Sequence, residues 1–245
     1  ILGRIIGIFF LFPLLYFHFI KKINFKKLIP FYLVLFLIIL QGIVGWYMVE
    51  SGLIDKTSVS HYRLSLHLSI AITIISIIFW QILNISNNTS KKFFNSIRKE
   101  FPYFLIVVLI FIQIIFGAFV SGLDAGKIYQ TWPLMGSNYF PDDTNIKFFF
   151  ELINFENHSL VQFYHRNIAY IITLYILSIG LFIFLKKDKI LYKAISLLLI
   201  ILLIQVFLGI LTLITDLNTV IASAHQISSV ILILTALNLY YLRIK

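Results

Sequence analysis

The sequence contains no cysteine, and only 12% of its 245 residues are charged. The absence of thiols excludes disulfides, thiolate-bound iron–sulfur clusters and cysteine nucleophiles, so any metal must be bound by histidine or carboxylate. The scarcity of charge, set against a hydrophobic content of 60%, excludes an ordinary soluble domain of this size. Such a composition is typical of a polytopic membrane protein.

Long uncharged runs predict the membrane-spanning segments. Six runs reach or exceed the roughly 20 residues that cross the hydrocarbon core of a bilayer, and a seventh, at residues 5–20, is shorter. The alternating pattern of a β-barrel is missing, so the spanning segments are expected to be helices. The sequence therefore predicts an all-α polytopic membrane helical bundle, with seven helices near residues 1–20, 29–49, 61–83, 102–121, 159–185, 190–214 and 219–242.

The net charge of +10 follows a pattern that orients the chain in the membrane. Lysine and arginine are concentrated at residues 21–27, 91–99 and 186–193 and at the C-terminus, whereas the intervening loops carry most of the acidic residues. By the positive-inside rule, the basic loops and the C-terminus are expected to be cytoplasmic. The basic residues thus predict topology, and a nucleic-acid partner is not expected.

Three histidines carry the chemical signal: His67, His165 and His225. Each lies near the start of an apolar segment, and the predicted topology brings all three segments into the membrane from the same side. An isolated membrane histidine often only hydrogen-bonds a neighbouring helix, but here alanine or serine follows each one four residues later. A small residue one turn below leaves room for a flat macrocycle, which favours axial ligation of haem iron. Of the remaining histidines, His18 is expected at the membrane interface. His61 and His158, at the outer entrances of their helices, are expected to face solvent, with contact to substrate as the alternative.

Three arginines are expected to meet the acidic groups of the same cofactor. They lie close to the entrances of predicted helices: Arg4, Arg63 and Arg166. Arginine is costly in lipid and tends to pair with an anion, and haem propionates suit a bidentate guanidinium. The alternative is that these side chains extend to the membrane interface without a specific partner.

A repeated motif indicates that the chain arose by duplication. Gln-x-x-x-Gly occurs in three helices of the same predicted orientation: Gln41 with Gly45, Gln113 with Gly117, and Gln205 with Gly209. One copy alone is most simply a helix-packing motif, but three in matching positions indicate two related four-helix halves, at residues 1–100 and 101–245. Aligning the halves predicts a fourth ligand two positions before Ile1, on a chain that has one further helix upstream.

The longest loop, residues 122–158, is expected to cover a haem edge on the outer face of the membrane. Loops of this length in compact proteins are usually functional, for example as lids. Glycine and proline give this one defined turns. We expect its segment 130–136 to be the part that shields the haem.

Seven stretches of the sequence together resemble the haem A synthase family, in the form found in mitochondria and α-proteobacteria. They include QGIVGWYMVESGL at residues 41–53, GAFVSGLDAG at 117–126 and TWPLMG at 131–136. The others are residues 2–7, 59–68, 162–166 and 225–226, so that the resemblance spans essentially the whole chain. Each stretch alone is a weak signal, and together they are very specific.

The resemblance implies two pseudo-symmetric four-helix halves in a membrane oxidoreductase that converts haem O to haem A by oxidising a ring methyl to a formyl group. It implies His165 and His225 as axial ligands of a resident haem b, and His67 as one ligand of the site for the substrate haem O. The catalytic glutamate of the family and a further histidine would fall upstream of Ile1. Residues 1–245 alone are therefore expected to bind haem without producing haem A.

The resemblance also implies a setting and a set of partners. We expect the bacterial inner membrane in preference to the mitochondrial one. The expected partners are haem O, membrane lipid, a haem O synthase, a terminal oxidase under assembly and a second copy of the chain. Two alternatives remain open: a bis-histidine b-type cytochrome that only transfers electrons, and a haem exporter or chaperone without redox chemistry.

Overall fold

The computed structural model of the chain describes residues 2–52, 59–94, 99–144 and 148–244. Over these residues the chain is all-helical, which confirms the predicted fold class, and its only β-structure is one bridge between Met135 and Asn138. The α-helices are α1 (Leu2–Ile20), α2 (Phe25–Gly52), α3 (His61–Ser86), α4 (Phe101–Gly122), α5 (His158–Leu185), α6 (Lys189–Ile214) and α7 (Thr219–Arg243). Two short 3-10 helices, Ala125–Lys127 and Phe149–Ile153, lie between α4 and α5.

Helices α2 to α7 are long and apolar enough to cross a membrane, and α1 carries a shorter apolar stretch, Ile5–Ile20. Most of the spanning surface faces away from the protein, since at most 33% of the most apolar window of any of these six helices is buried. The outward side chains include large apolar ones such as Phe9 and Phe207. These surfaces suit contact with lipid chains, and the chain is a multi-pass membrane protein.

The chain divides into two compact units, Ile1–Ser90 and Lys91–Lys245. In the first unit, α2 packs against both α1 and α3. Gly7 of α1 lies close to α2, because a Cβ atom there would be 3.6 Å from Cγ2 of Ile38. Small residues allow such close approach of two backbones, which is a main source of helix association inside a membrane.

The second unit is a closed ring of four helices. Helices α4 and α6 each contact both α5 and α7, so that α5 and α7 stand at opposite corners. The interior is filled by aliphatic side chains with almost no exposed surface: Ile106, Ile176, Ile195, Leu198 and Leu237. Lipid tails are as apolar as these side chains, so the dense packing itself holds the ring together.

Candidate functional site

The three histidines of the sequence signal lie at nearly the same depth in their helices. His67 is six residues after the first residue of α3, His165 is seven after that of α5, and His225 is six after that of α7. At about 1.5 Å of rise per residue, each lies roughly 10 Å along its helix from the end at which the helix begins.

Asparagine caps fix where two of these helices begin. The side chain of Asn157 accepts a hydrogen bond from the backbone N–H of Leu160 at 3.0 Å. The side chain of Asn218 accepts one from Val220, also at 3.0 Å. Such a cap contributes about 1 kcal/mol to helix stability. The two caps therefore set the levels at which α5 and α7 carry their histidines.

Each histidine ring lies against the glycine of one Gln-x-x-x-Gly motif. A Cβ atom added to Gly45 would be 3.1 Å from Cε1 of His67, and the corresponding distance from Gly117 to His165 is 3.3 Å. A Cβ atom added to Gly209 would be only 2.9 Å from Cε1 of His225. The glycine of the motif on one helix thus contacts the histidine on the next helix, and this contact occurs three times among the described residues.

The glutamines of the motif also contact the histidines of the second unit. Nε2 of Gln113 donates to the backbone carbonyl of His165 at 2.9 Å and lies 3.1 Å from its Nδ1. Nδ1 of His225 lies 3.1 Å from the backbone carbonyl oxygen of Gln205. The hydroxyl of Ser228, one turn further along α7, donates to the side-chain oxygen of Gln205.

The first unit differs in its polar contacts. Nδ1 of His67 and Oε1 of Gln41 are both buried, and neither has a hydrogen-bond partner among the described residues. Buried polar atoms in native proteins are nearly always satisfied, so such a pair calls for an explanation. The His67 ring fills the space beside Gly45, so its Nδ1 is held next to the backbone of α2 without a hydrogen bond from the described residues.

The two histidines of the second unit are paired across its interior. His165 and His225 come from opposite corners of the helix ring, and their imidazoles lie close enough to interact electrostatically. Two imidazoles are the donor set of a haem whose porphyrin supplies the other four iron ligands. No group of three or more His, Asp or Glu side chains suited to a metal ion occurs in the described part of the chain. These residues therefore fit a bis-histidine haem.

Arg166, next to His165, binds the loop between α4 and α5. Its Nη2 donates to the carbonyl oxygen of Tyr129 at 2.8 Å, and its Nη1 donates to those of Thr131 at 2.9 Å and Leu134 at 3.3 Å. Three of the five N–H donors of the guanidinium are thereby used. Arg166, which the sequence analysis assigned to a haem propionate, therefore binds the segment 130–136, which was expected to shield the haem.

Further contacts tie this loop to the ends of α5 and α7. Gln162 donates to the carbonyl oxygen of Tyr129 at 2.8 Å, and Gln130 donates to Asp216, just before α7, at 2.5 Å. Gly126 lies so close to Leu217 that a Cβ atom there would be 2.6 Å from Cδ2. The segment 126–134 of the loop is consequently attached to the end of the second unit at which α5 and α7 begin.

The buried Tyr129 connects the first part of the loop to the two aspartates later in the loop. The hydroxyl of Tyr129 donates to Asp142 at 2.5 Å and contacts Asp143 at 3.0 Å, and the hydroxyl of Ser159 donates to the other oxygen of Asp143 at 2.6 Å. Burial, together with the hydrogen bonds to the two aspartates, raises the pKa of Tyr129 to about 12. The phenol therefore remains a hydrogen-bond donor throughout the physiological pH range.

The other residues singled out from the sequence have different surroundings. Arg63 lies 4.5 Å above the ring of Tyr47 and donates to its hydroxyl at 3.3 Å, whereas the side chain of Arg4 lies outside the described part of the chain. The expectation that His61 faces solvent is wrong. Its side chain is covered by protein atoms, with 4% exposed and its ring 4.0 Å from that of Tyr62. His158 is exposed, as expected.

Sequence reasoning missed the contact between each histidine and the glycine of the neighbouring helix. It assigned the room for a macrocycle to the small residue four positions after each histidine, within the same helix. The matching orientation of the three Gln-x-x-x-Gly copies was the signal that could have revealed the contact, because each copy lies in the helix that immediately precedes a histidine-bearing helix.

Residues 1–237 match the COX15-CtaA family, whose members are described as cytochrome oxidase assembly proteins. The chain is 43% identical over 235 residues to the heme A synthase of Pelagibacter ubique (strain HTCC1062), an alignment that covers 95% of this chain and 68% of the relative. It is 40% identical over 248 residues to the heme A synthase of Wolbachia pipientis wMel, with 99% and 68% covered. For the heme A synthase of Rickettsia felis the identity is 36% over 252 residues, with 99% and 72% covered.

Proposed function

Because the chain belongs to the haem A synthase family, we propose that it converts haem O to haem A by oxidising one ring methyl to a formyl group. The protein is an oxidoreductase of haem A biosynthesis with several membrane-spanning helices. The observation that carries the proposal is the repeated contact of a histidine ring with a glycine, which occurs in both units. It supports a site for a resident haem in one unit and a site for a substrate haem in the other.

In the second unit, His165 and His225 would hold a haem b as its two axial ligands. Such a haem supplies one-electron transfer when bound. The contribution of the protein would be two imidazoles, one from α5 and one from α7, as ligands of the iron. A site closed in this way favours electron relay over exchange of the bound group.

The proposed reaction needs that relay. Each of the two successive hydroxylations of the methyl carbon takes an oxygen atom from water and releases two electrons and two protons, and loss of water from the resulting hydrate leaves the formyl group. The electrons must leave the substrate for an acceptor in the membrane. A haem held by His165 and His225 would supply the one-electron transfer that this requires.

In the first unit, His67 would contribute one ligand to the substrate haem O. Substrate must enter and product must leave, so this ligand has to be more readily displaced than those of the resident haem. The absence of hydrogen-bond partners for Nδ1 of His67 and Oε1 of Gln41 among the described residues supports that difference. His165 and His225, by contrast, both have close polar contacts with their glutamines.

Arginines would bind the propionates of the two haems. Arg63 lies one turn before His67, and Arg166 directly follows His165. Arg166 keeps two N–H donors beyond the three that bind the loop. Arg4 belongs to the same proposal through its position in the first turn of α1.

The surroundings of the enzyme follow from the distribution of charge. We propose that the loop between α4 and α5 lies on the periplasmic face of a bacterial inner membrane and that the C-terminus is cytoplasmic. Haem O would come from a haem O synthase, and haem A would pass to a terminal oxidase. The halves at residues 1–100 and 101–245 would be products of one duplication.

A membrane cytochrome that only transfers electrons is the second candidate, because the His165–His225 pair by itself suits that role. The two functions are separated by producing the full-length protein together with a haem O synthase and extracting the haem. A pyridine haemochrome spectrum with the shift of a formyl-bearing haem is the expected result. Haem O and haem b without any formyl haem, in membranes that contain the protein, would instead support the cytochrome.

A further inference from the structure

We propose that Gly45, Gly117 and Gly209 are positioning residues, each of which supplies a bare stretch of helix backbone that fixes the orientation of one histidine ring toward a haem. The inference rests on the proposed function only in taking haem as the ligand of these histidines. It assigns a role to the glycine of each Gln-x-x-x-Gly motif that ordinary helix packing does not include.

The close approach of the ring to the glycine is the feature that all three sites share. At His225 it is accompanied by a hydrogen bond from the ring to the backbone. Nδ1 of His225 lies 3.1 Å from the backbone carbonyl oxygen of Gln205. A carbonyl oxygen can only accept a hydrogen bond, so Nδ1 carries the proton and Nε2 keeps a lone pair. This Nε2 lies 3.5 Å from Nε2 of Gln205, and its lone pair would bind iron when haem is present. A hydrogen bond of this kind to the outer nitrogen is how proteins orient histidine ligands and tune their basicity.

The glycine makes that hydrogen bond possible. The carbonyl of Gln205 is the one that accepts the backbone N–H of Gly209 in a regular α-helix. A side chain at position 209 would stand beside this carbonyl, with its Cβ atom 2.9 Å from Cε1 of His225. Cε1 is bonded to both ring nitrogens, so any displacement of it moves Nε2 as well.

Gly42 and Gly180, two other helical glycines, lack this relationship. A Cβ atom at Gly42, in the same helix as Gly45, would meet no atom within 4 Å. A Cβ atom at Gly180 would be 3.3 Å from a methyl carbon of Leu199, as close as the one at Gly117 is to its histidine. Gly180 therefore serves a packing contact of the same tightness, and the comparison separates ring positioning from packing.

The test uses the purified haem-loaded protein and the low-spin ferric EPR spectrum, which reports the orientation of the axial imidazoles. Gly209→Ala should shift the g values and weaken haem retention by about 10-fold or more, as loss of an interaction that orients a metal ligand does. Gly117→Ala should cause a smaller shift, because its Cβ atom would be 3.3 Å from the ring instead of 2.9 Å. Gly180→Ala should leave both the spectrum and the retention unchanged.

In the first unit the matched pair is Gly45→Ala and Gly42→Ala. The first should lower the yield of haem A in cells that make haem O, and the second should not. Alanine forms helices better than glycine, so weakened helices cannot account for losses that only one member of each pair shows.

The proposal is overturned if Gly209→Ala and Gly117→Ala give the wild-type spectrum, or if Gly180→Ala alters it equally. If Gly209→Ala yields no folded protein, Gly117→Ala decides, and a wild-type spectrum in that variant rejects the proposal. The EPR measurement does not depend on catalysis. A wild-type protein that forms no haem A, yet shows the predicted shifts in its variants, would refute the proposed function and leave the positioning role standing.

Discussion

Replacing Arg166 with leucine should loosen the attachment of loop residues 129–134 to helix α5. The substitution removes the hydrogen bonds to the carbonyl oxygens of Tyr129, Thr131 and Leu134. At about 1 kcal/mol net for each hydrogen bond, opening of the loop becomes about 3 kcal/mol easier. Since a factor of ten corresponds to ~1.4 kcal/mol, the open fraction rises roughly 100-fold.

Hydrogen exchange measures that fraction directly. The amide of Met135 donates to the carbonyl of Asn138 and that of Gly136 to the hydroxyl of Thr131, both at 2.8 Å, so both should exchange roughly 100-fold faster in Arg166→Leu. Haem should also be lost faster. Arg243→Leu is the matched control, because Arg243 binds Asp188, far from this loop in the sequence. Unchanged exchange at both amides in Arg166→Leu would refute the assigned role of Arg166.

Three further predictions concern the second unit. His165→Ala and His225→Ala should each abolish the low-spin b-type absorption spectrum of the purified protein, and an unchanged spectrum in both would reject the pairing. Proteolysis within residues 130–136 should be slow with haem bound and fast after haem extraction, whereas equal rates would make the loop a plain connector. The raised pKa of Tyr129 means that the folded loop holds this proton more tightly than an opened loop does, so the stability of the loop is intact below pH 10 and is lost as the pH rises toward 12. Hydrogen exchange of the loop should show that loss in the wild type, and Tyr129→Phe should remove the pH dependence.

The helices could be predicted from the sequence because a membrane leaves the backbone few choices. An apolar run long enough to span lipid must satisfy its own hydrogen bonds, so its extent marks a helix. The residues at which the helices begin and end were harder to predict. Helix α2 begins at Phe25, four residues before the predicted start, because the charged ends of Lys26 and Lys27 can reach water while the backbone stays helical.

The site could be predicted only in part. The histidines were evident as polar residues in apolar helices. The partner of each ring, however, is a glycine on another helix, and because glycine has no side chain its identity does not indicate the contact. The partners of Arg166 are backbone carbonyls more than thirty residues upstream, which leave no trace in the identity of Tyr129, Thr131 or Leu134. Contacts to the backbone depend on the path of the chain and become visible only in the folded structure.

The proposal that the first unit binds the substrate haem and the second unit the resident haem is tested most directly by the haem content of a single variant. The full-length wild-type protein and its His67→Ala variant are produced in cells that make haem O, and both the extracted haem and the spectrum of the purified protein are recorded. Formyl haem is expected from the wild type and none from His67→Ala, and the low-spin b-type spectrum is expected in both proteins. Formyl haem produced by His67→Ala, or loss of its b-type spectrum, would contradict the assignment of substrate to the first unit and resident haem to the second.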